Sequence, residues 1–192
     1  MGRDTLTDAA RQIQKNSVQW GVVKLSFIIP ARNEADYIGK CLESVLAEIK
    51  RANIEAEVIV VNGKSTDATK KAASRYAGVR VLDAEKNGAN AARQTGFEAS
   101  RGELIANIDA DTVLPEGWIR RALREFEAHP YLAALSGPYT FYDLPFPFRF
   151  LMRVLWYLAA PFYLVSNVLL RRGASVMGGN VVIRRSALQA IG

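Results

Sequence analysis

One cysteine and one histidine occur in 192 residues. A single thiol, Cys41, excludes an internal disulfide. Its helix-like spacing from apolar neighbours makes it a small core residue rather than a nucleophile. The lone His129 precedes Pro130 at a helix end and reads as a surface residue. Glycine-rich phosphate loops are missing too. No P-loop and no Gly-x-Gly-x-x-Gly element occurs, which argues against kinases and dinucleotide enzymes. Met1 to Gly21 is polar and charged, unlike a secretory leader, and Leu6 stands where a myristoylation signal needs Ser or Thr. No internal repeat or low-complexity tract is present. The most local scarcity is negative charge: no acid follows Asp143, and no lysine either. Six arginines (149, 153, 171, 172, 184 and 185) do follow, so the part from Asp143 onward carries a net +5 of the chain's formal +6. The excess coincides with the most apolar part of the chain. Arginine beside aromatic and aliphatic residues suits an anionic membrane surface better than nucleic acid.

What is present is globular in kind. Hydrophobic residues make up 49% and charged residues 23%, over a length that suits one sizeable core. Asp4 to Asn16 predicts a short amphipathic helix within an N-terminal appendage, residues 1–24. From residue 25 to 142, strands and helices alternate. Leu25–Pro30, Ala56–Asn62, Val79–Leu82 and a run ending at Ile108 read as buried strands. Between them, Ile38 to Ile49 carries an i, i+3, i+4 apolar stripe, with Asn33 as its candidate cap. Ala68–Ala77 has Asp67 or Ser65 before it as caps. Ala89–Ser100 is a helix of small residues, and Pro115 opens another that runs to Glu127. Leu132–Tyr142 reads as a further strand. The pattern predicts an α/β fold with right-handed crossovers and a mostly parallel sheet. Residues 173–192 return to soluble character, with a strand at Val181–Ile183 and a last helix capped by Ser186.

The stretch Glu103 to Asp111 organises the rest. Gly102 precedes an apolar run that ends in Asp109-Ala110-Asp111. Extended chain places residues two apart on one side, so the two carboxylates would converge. At the carboxyl end of a strand in an open α/β sheet they stand where such sheets bind ligands. They can hold a hard divalent cation, which binds phosphate oxygens. The alternative is a solvated turn in which either aspartate caps the next helix.

Residues 143–172 differ in kind. Pro145, Pro147 and Pro161 break the segment, and Arg149, Arg153, Ala160 and Asn167 fall on one side of a helical wheel. A narrow polar stripe flanked by Trp156 and Tyr163 suits helices lying in a membrane interface. A packed helix pair is the second reading. A single span is the third, which Arg153 and Pro161 oppose.

Together these pieces resemble glycosyltransferase family 2, of GT-A fold. The matching stretches are Phe27-Ile28-Ile29-Pro30-Ala31-Arg32-Asn33-Glu34, Val60-Val61-Asn62-Gly63-Lys64-Ser65-Thr66-Asp67, Gly88-Ala89-Asn90-Ala91-Ala92-Arg93 and Asp109-Ala110-Asp111. Gly178-Gly179-Asn180 with Arg184-Arg185 looks like the family's acceptor-side segment. The resemblance runs from about Leu25 to the end. It implies an inverting, metal-dependent transfer of sugar from a nucleotide diphosphate, UDP favoured, to a lipid-linked or saccharide acceptor. It implies donor binding by Pro30, Ala31, Arg32, Glu34, Asn62, Lys64, Gly88, Arg93, Asp109 and Asp111. Asp109 would approach the ribose. Asp111, with Asp109, would ligate Mg²⁺ or Mn²⁺. Asn62 stands where the family usually has an aspartate that accepts from the base. It keeps an acceptor oxygen and loses the charge. The acceptor-side residues implied are Gly178, Gly179 and Asn180.

The family's base is an aspartate in an acidic pair after the final helix segment, and this sequence has no match for it. The chain is therefore expected to be a fragment of a longer enzyme. A donor-binding relic, or an enzyme whose acceptor needs no base, such as a lipid phosphate, are the alternatives. A non-catalytic nucleotide-sugar-binding domain is the second functional reading. The expected location is cytoplasmic, peripheral on the cytoplasmic face of a membrane.

Overall fold

The computed structural model describes residues 23–137, 145–165 and 179–191. The expected N-terminal helix, Gly178 and the whole of the 138–144 and 166–178 segments lie outside the described residues. The chain divides into two compact units, with boundaries at 135/136 and 177/178.

The first unit is built on a near-continuous apolar strand. β1 (Leu25–Ala31) buries every side chain except Pro30, which is half-buried. It pairs in parallel with β2 (Ala56–Asn62) on one side and β4 (Leu104–Ile108) on the other. β3 (Val79–Asp83) extends the β2 side in parallel. β6 (Asn180–Arg184) runs antiparallel to β4, and the full order is β3-β2-β1-β4-β6-β5, with β5 at Ala134–Ser136. The α/β sheet is thus mostly parallel, as the alternation predicts. Strands buried on both faces must read as unbroken apolar runs, which is why β1 and β2 were legible.

Helices cover both faces. α1 (Ile38–Ala52) turns Ile38, Cys41, Leu42 and Val45 into the larger core, beside Phe27, Ile29, Val58 and Val60. α4 (Trp118–Ala128) adds Ile119, Ala122, Leu123 and Phe126 to that core. α3 (Ala89–Ala99) covers the opposite face, where Ile59, Val61, Ala84 and Ala92 form a smaller cluster. α2 (Thr69–Ala73) is short, and α6 (Arg185–Ile191) follows β6 directly.

Several boundaries differ from the sequence reading, each for a local reason. Asn33 does not cap α1. It takes a left-handed φ of 57°, and the helix starts after Tyr37 without a side-chain cap. α4 starts three residues after Pro115, because Gly117 turns the chain through φ 75° first. Ser186 lies inside α6 rather than capping it.

The second unit holds α5 (Phe146–Leu164), one helix with Pro161 inside. Pro145 and Pro147 sit at its start, where proline is tolerated. Phe146, Phe148, Phe150, Tyr157 and Leu158 are each 59–72% exposed. Among the described residues no helix is long and apolar enough to cross a membrane.

Candidate functional site

The sheet order reverses its winding beside β1, with β2 and β3 on one side and β4 on the other. Open α/β sheets bind ligands at that switch point, off the carboxyl ends of the strands. Parallel register brings Ala31 level with Asn62, and Ile28 level with Asn107. The loops that begin at Arg32, Gly63 and Asp109 therefore share one rim.

Two of these loops are stitched together. The Asn33 amide donates to Ser65 Oγ at 3.1 Å, and the Thr66 amide donates to Asn33 Oδ1 at 2.9 Å. The Glu34 amide donates to Thr69 Oγ1 at 2.8 Å, and the Ala35 amide to Asp67 Oδ2 at 3.1 Å. Gly63 N donates to Ala31 O at 2.8 Å. Lys64 holds φ 61°, a conformation that costs a non-glycine residue about 1–3 kcal/mol and marks an over-determined loop. Pro30 and Ala31 remain in β1, and Arg32 is exposed at its end.

Asn62 is buried, and both ends of its amide are engaged. Nδ2 donates to Asp83 Oδ1 at 2.9 Å, and Oδ1 accepts from the Ser65 amide at 3.2 Å. The Asp83 carboxylate stands beside Asn62 at this corner. Lys70 Nζ lies 2.6 Å from Asp83 Oδ2. Hydrogen bonds from Asn62 and Lys70 hold the Asp83 carboxyl below the usual range. Sequence reasoning passed over Asp83. Its position at the end of β3, level with Asn62, was the usable signal. A depression of about 690 Å³, lined by Asn62, Ser65, Asp67 and Lys70 among others, opens beside this corner.

The two aspartates are arranged by a turn, not by strand alternation. β4 ends at Ile108, and the Thr112 amide donates to Asp109 O at 3.0 Å. Asp109 is thus the first residue of a tight turn and Asp111 the third, which corrects the expectation of an extended Asp-x-Asp. The helix-cap alternative is also removed: α4 starts at Trp118, and Glu48 receives its first amides. Asp109 Oδ1 accepts from Arg93 Nη2 at 2.8 Å, and the Asp109 amide donates to Gly179 O at 3.0 Å. Gly88 precedes α3 at φ 109° and starts the helix that carries Arg93.

Glu34 belongs to the same electrostatic group. Burial raises its carboxyl above the ordinary value, and the charges of Asp111, Asp67 and Asp109 raise it further. Cys41 behaves as a core residue: burial, then Asp111 and Asp109, push its thiol up to about 12. Gly179 and Asn180 are buried beside Asp109, at the end of β6 that pairs with Ile108. Arg184 and Arg185 sit at the far end of the sheet. Arg185 Nε donates to Gly102 O at 2.7 Å, and Arg184 Nε to Leu132 O at 2.9 Å. These two arginines are structural and do not join an acceptor-side site.

Among the described residues no group of three or more His, Cys, Asp or Glu side chains forms a ready cation cage. The donor set still fits Mg²⁺ or Mn²⁺. Such ions are held by one or two carboxylates plus phosphates of the substrate, and here repelling carboxylates face an exposed rim.

Comparison with known proteins agrees with this geometry. The family model described as Glycosyl transferase family 2 matches residues 26–192. Glycosyltransferase AglE of Haloferax volcanii is 35% identical over 104 residues, which cover 52% of this chain and 34% of that protein. Dodecaprenyl-phosphate galacturonate synthase of Rhizobium johnstonii is 36% identical over 95 residues, covering 46% of this chain and 28% of that protein. The match thus spans about a third of these relatives' length. Among solved structures, the mannosyltransferase PcManGT of Pyrobaculum calidifontis, in complex with GDP-Man and Mn²⁺, aligns with a TM-score of 0.66 at 22% identity, over 97% of this chain and 54% of that one. S. aureus TarS in complex with UDP-GlcNAc aligns at 0.54 and 23% identity, over 64% of this chain and 39% of that one. At such identities the likeness establishes the fold, a mixed α/β GT-A architecture.

Proposed function

The chain belongs to glycosyl transferase family 2, and from that premise we propose that its rim binds a nucleoside-diphosphate sugar, UDP-linked by preference, for inverting transfer to a lipid-linked or saccharide acceptor. The observation that carries this reading is the convergence of Glu34, Asp109 and Asp111 at the switch point, with Arg93 fixed on Asp109. Asp111, with Asp109, would hold Mg²⁺ or Mn²⁺, which when bound neutralises charge on the departing diphosphate. Arg93 orients the Asp109 carboxylate toward the ribose side. Pro30 to Arg32, Glu34 and Lys64 wall the nucleoside, and Asn62 with Asp83 faces the base edge. Gly179 and Asn180 border the acceptor side.

Calorimetric titration of UDP and then GDP, with and without Mn²⁺, tests this. Binding that strengthens with Mn²⁺ is expected. Asp111→Ala should lower the Mn²⁺-dependent affinity at least tenfold, about 1.4 kcal/mol. Equal binding by the variant, or no response to metal, would reject the assignment. Metal-dependent binding without any sugar transfer or donor hydrolysis would instead favour a non-catalytic nucleotide-sugar-binding domain.

We also propose a peripheral place on the cytoplasmic face of a membrane, supported by the exposed apolar side chains of α5 and by Arg149 and Arg153 in its sequence. Each arginine near an anionic surface is worth about 1 kcal/mol. Replacing both Arg149 and Arg153 by alanine should weaken co-sedimentation with phosphatidylglycerol vesicles about thirtyfold, the equivalent of about 2 kcal/mol. Unchanged sedimentation would remove the role of these arginines, and equal binding to phosphatidylcholine vesicles would remove the preference for an anionic surface.

A further inference from the structure

The dipeptide Asn-Gly occurs twice in the chain, at Asn62-Gly63 and at Asn87-Gly88. In this pair the asparagine side chain is open to attack by the next backbone nitrogen, because glycine has no Cβ to shield that nitrogen. The fold treats the two copies differently. Asn62 is 6% exposed, and its amide is held at both ends, by Asp83 and by the Ser65 amide. The Gly63 amide donates to Ala31 O at 2.8 Å. Hydrogen bonds thus keep both reacting groups of the first copy in place. Asn87 and Gly88 lie instead in an exposed run from Glu85 to Asn90. Among the described residues neither the Asn87 side chain nor the Gly88 N–H makes a hydrogen bond. A Cβ placed on Gly88 would meet nothing within 4 Å, so the space around its nitrogen is open.

The Gly88 nitrogen also stands just before α3, at the positive end of that helix's dipole. The attacking species is the amide anion left when hydroxide removes the N–H proton, and that field favours an anion. Attack forms the bond from Gly88 N to Asn87 Cγ and breaks the bond from Cγ to Nδ2. Nδ2 leaves as ammonia, taking a proton from water and regenerating hydroxide. The product is a five-membered cyclic imide, which water then opens. Opening between N and Cγ gives aspartate at 87. Opening at the main-chain carbonyl gives isoaspartate, with the backbone rerouted through Cβ and Cγ. The net change consumes one water, releases one ammonia and puts a carboxylate where a neutral amide stood. A carboxylate so exposed is ionised at neutral pH. Its place is the rim. β3 runs parallel to β2, so the 84–88 loop leaves the sheet at the same end as Gly63. The Ala84 amide donates to Asn62 O at 2.9 Å, and α3 carries Arg93 to Asp109.

We propose that Asn87-Gly88 is a self-modifying site, which converts without an enzyme to aspartate and isoaspartate and adds a negative charge to the rim, while the fold keeps Asn62-Gly63 inert. The loss of nucleotide affinity that this charge brings rests on the nucleoside-diphosphate reading of the rim. The modification itself does not. The full chain is aged in neutral buffer, folded and in urea, and peptide mass spectrometry with an isoaspartate methyltransferase assay maps the products. In the folded chain, product at residue 87 should exceed product at residue 62 by more than about tenfold, because reaction at Asn62 waits for local opening. In urea the two positions should react alike. Asn87→Ser should gain no isoaspartate there. Residue 87 intact in the folded chain, or reacting no faster than residue 62, would overturn the site. Calorimetric titration with UDP and GDP, in the presence of Mn²⁺, then compares fresh and aged chains. Asn87→Asp should bind nucleotide about threefold more weakly, within the range of a solvent-screened charge pair. The aged wild type should lose affinity in step with its product content, and aged Asn87→Ser should bind as it did when fresh. Product at residue 87 with unchanged affinity would overturn the effect on the rim. Product at residue 87 in a chain that binds neither nucleotide when fresh would reject the rim reading and leave the modification standing.

Discussion

Glu48→Ala is expected to lower the unfolding free energy by about 2–4 kcal/mol. Glu48 lies on α1, is 2% exposed, and is the only charged residue on that helix's core-facing stripe. Its carboxylate accepts from the Gly117 amide at 3.0 Å and the Ile119 amide at 3.2 Å. These are among the unpaired donors that begin α4, which has no side-chain cap of its own. Glu48 therefore caps a helix 69 residues away in sequence. An anion at a helix N-terminus gains from the dipole as well. Removal strands two amides, one of them on the fully buried Ile119. Arg51, also paired to Glu48, keeps Glu116 at 2.9 Å and reaches solvent, so it adds little to the loss. Glu48→Gln keeps an acceptor and should cost about half as much. Urea unfolding of the three proteins checks the ranking, and a glutamine variant as unstable as alanine would contradict the capping role.

The same carboxylate sets an acid limit. Burial pushes the Glu48 carboxyl up, but the Gly117 amide, Arg51 and the Ile119 amide together bring it below its ordinary value. Glu57 has the same balance: burial raises it, and Ser26, Arg101 and Arg80 lower it further. A carboxyl depressed in the folded state stabilises above its unfolded pKa, and that contribution is lost as pH falls through the folded value. The melting temperature should be level near neutrality and fall below about pH 4. In Glu48→Ala the fall should be shallower.

Gly102→Ala is expected to cost about 3 kcal/mol, at the upper end for overpacking. A Cβ on Gly102 would stand 2.5 Å from Ser26 Oγ, 2.6 Å from Ser26 N and 2.9 Å from Leu25 C. Two of these are backbone atoms of the central strand and cannot turn aside. Gly102 is also the middle of a buried polar knot. Its amide donates to Ser26 Oγ at 2.7 Å, that hydroxyl donates to Glu57 Oε1 at 2.7 Å, and Arg185 grips Gly102 O. Pushing Gly102 outward disturbs every member, and buried networks lose more than single bonds when partly broken. A loss below about 1 kcal/mol in denaturant unfolding would mean that the β1–β4 junction yields more than this packing allows.

The sequence by itself determined the sheet and the family. Near-continuous apolar runs within Leu25–Ala31 and Ala56–Asn62 point to doubly covered strands, and the stripe from Ile38 to Ile49 to an amphipathic helix. The order of the Pro30, Asn62, Arg93 and Asp109 motifs located the rim, because the carboxyl ends of parallel strands face one way. Spacing along a strand could not show that the chain turns at Asp109, since a turn is decided by where β4 loses its partner. It could not show that Asn62 spends both ends of its amide on Asp83 and Ser65, which are separated from it by a strand pairing and a loop. Nor could it show that Arg184 and Arg185 brace the sheet at the end away from the rim. That follows from β6 running antiparallel, which sets Arg184 opposite Leu104. The trans-cap at Glu48 belongs to the same class. Each is a contact between elements far apart in the chain, and only packing brings such groups within hydrogen-bond reach.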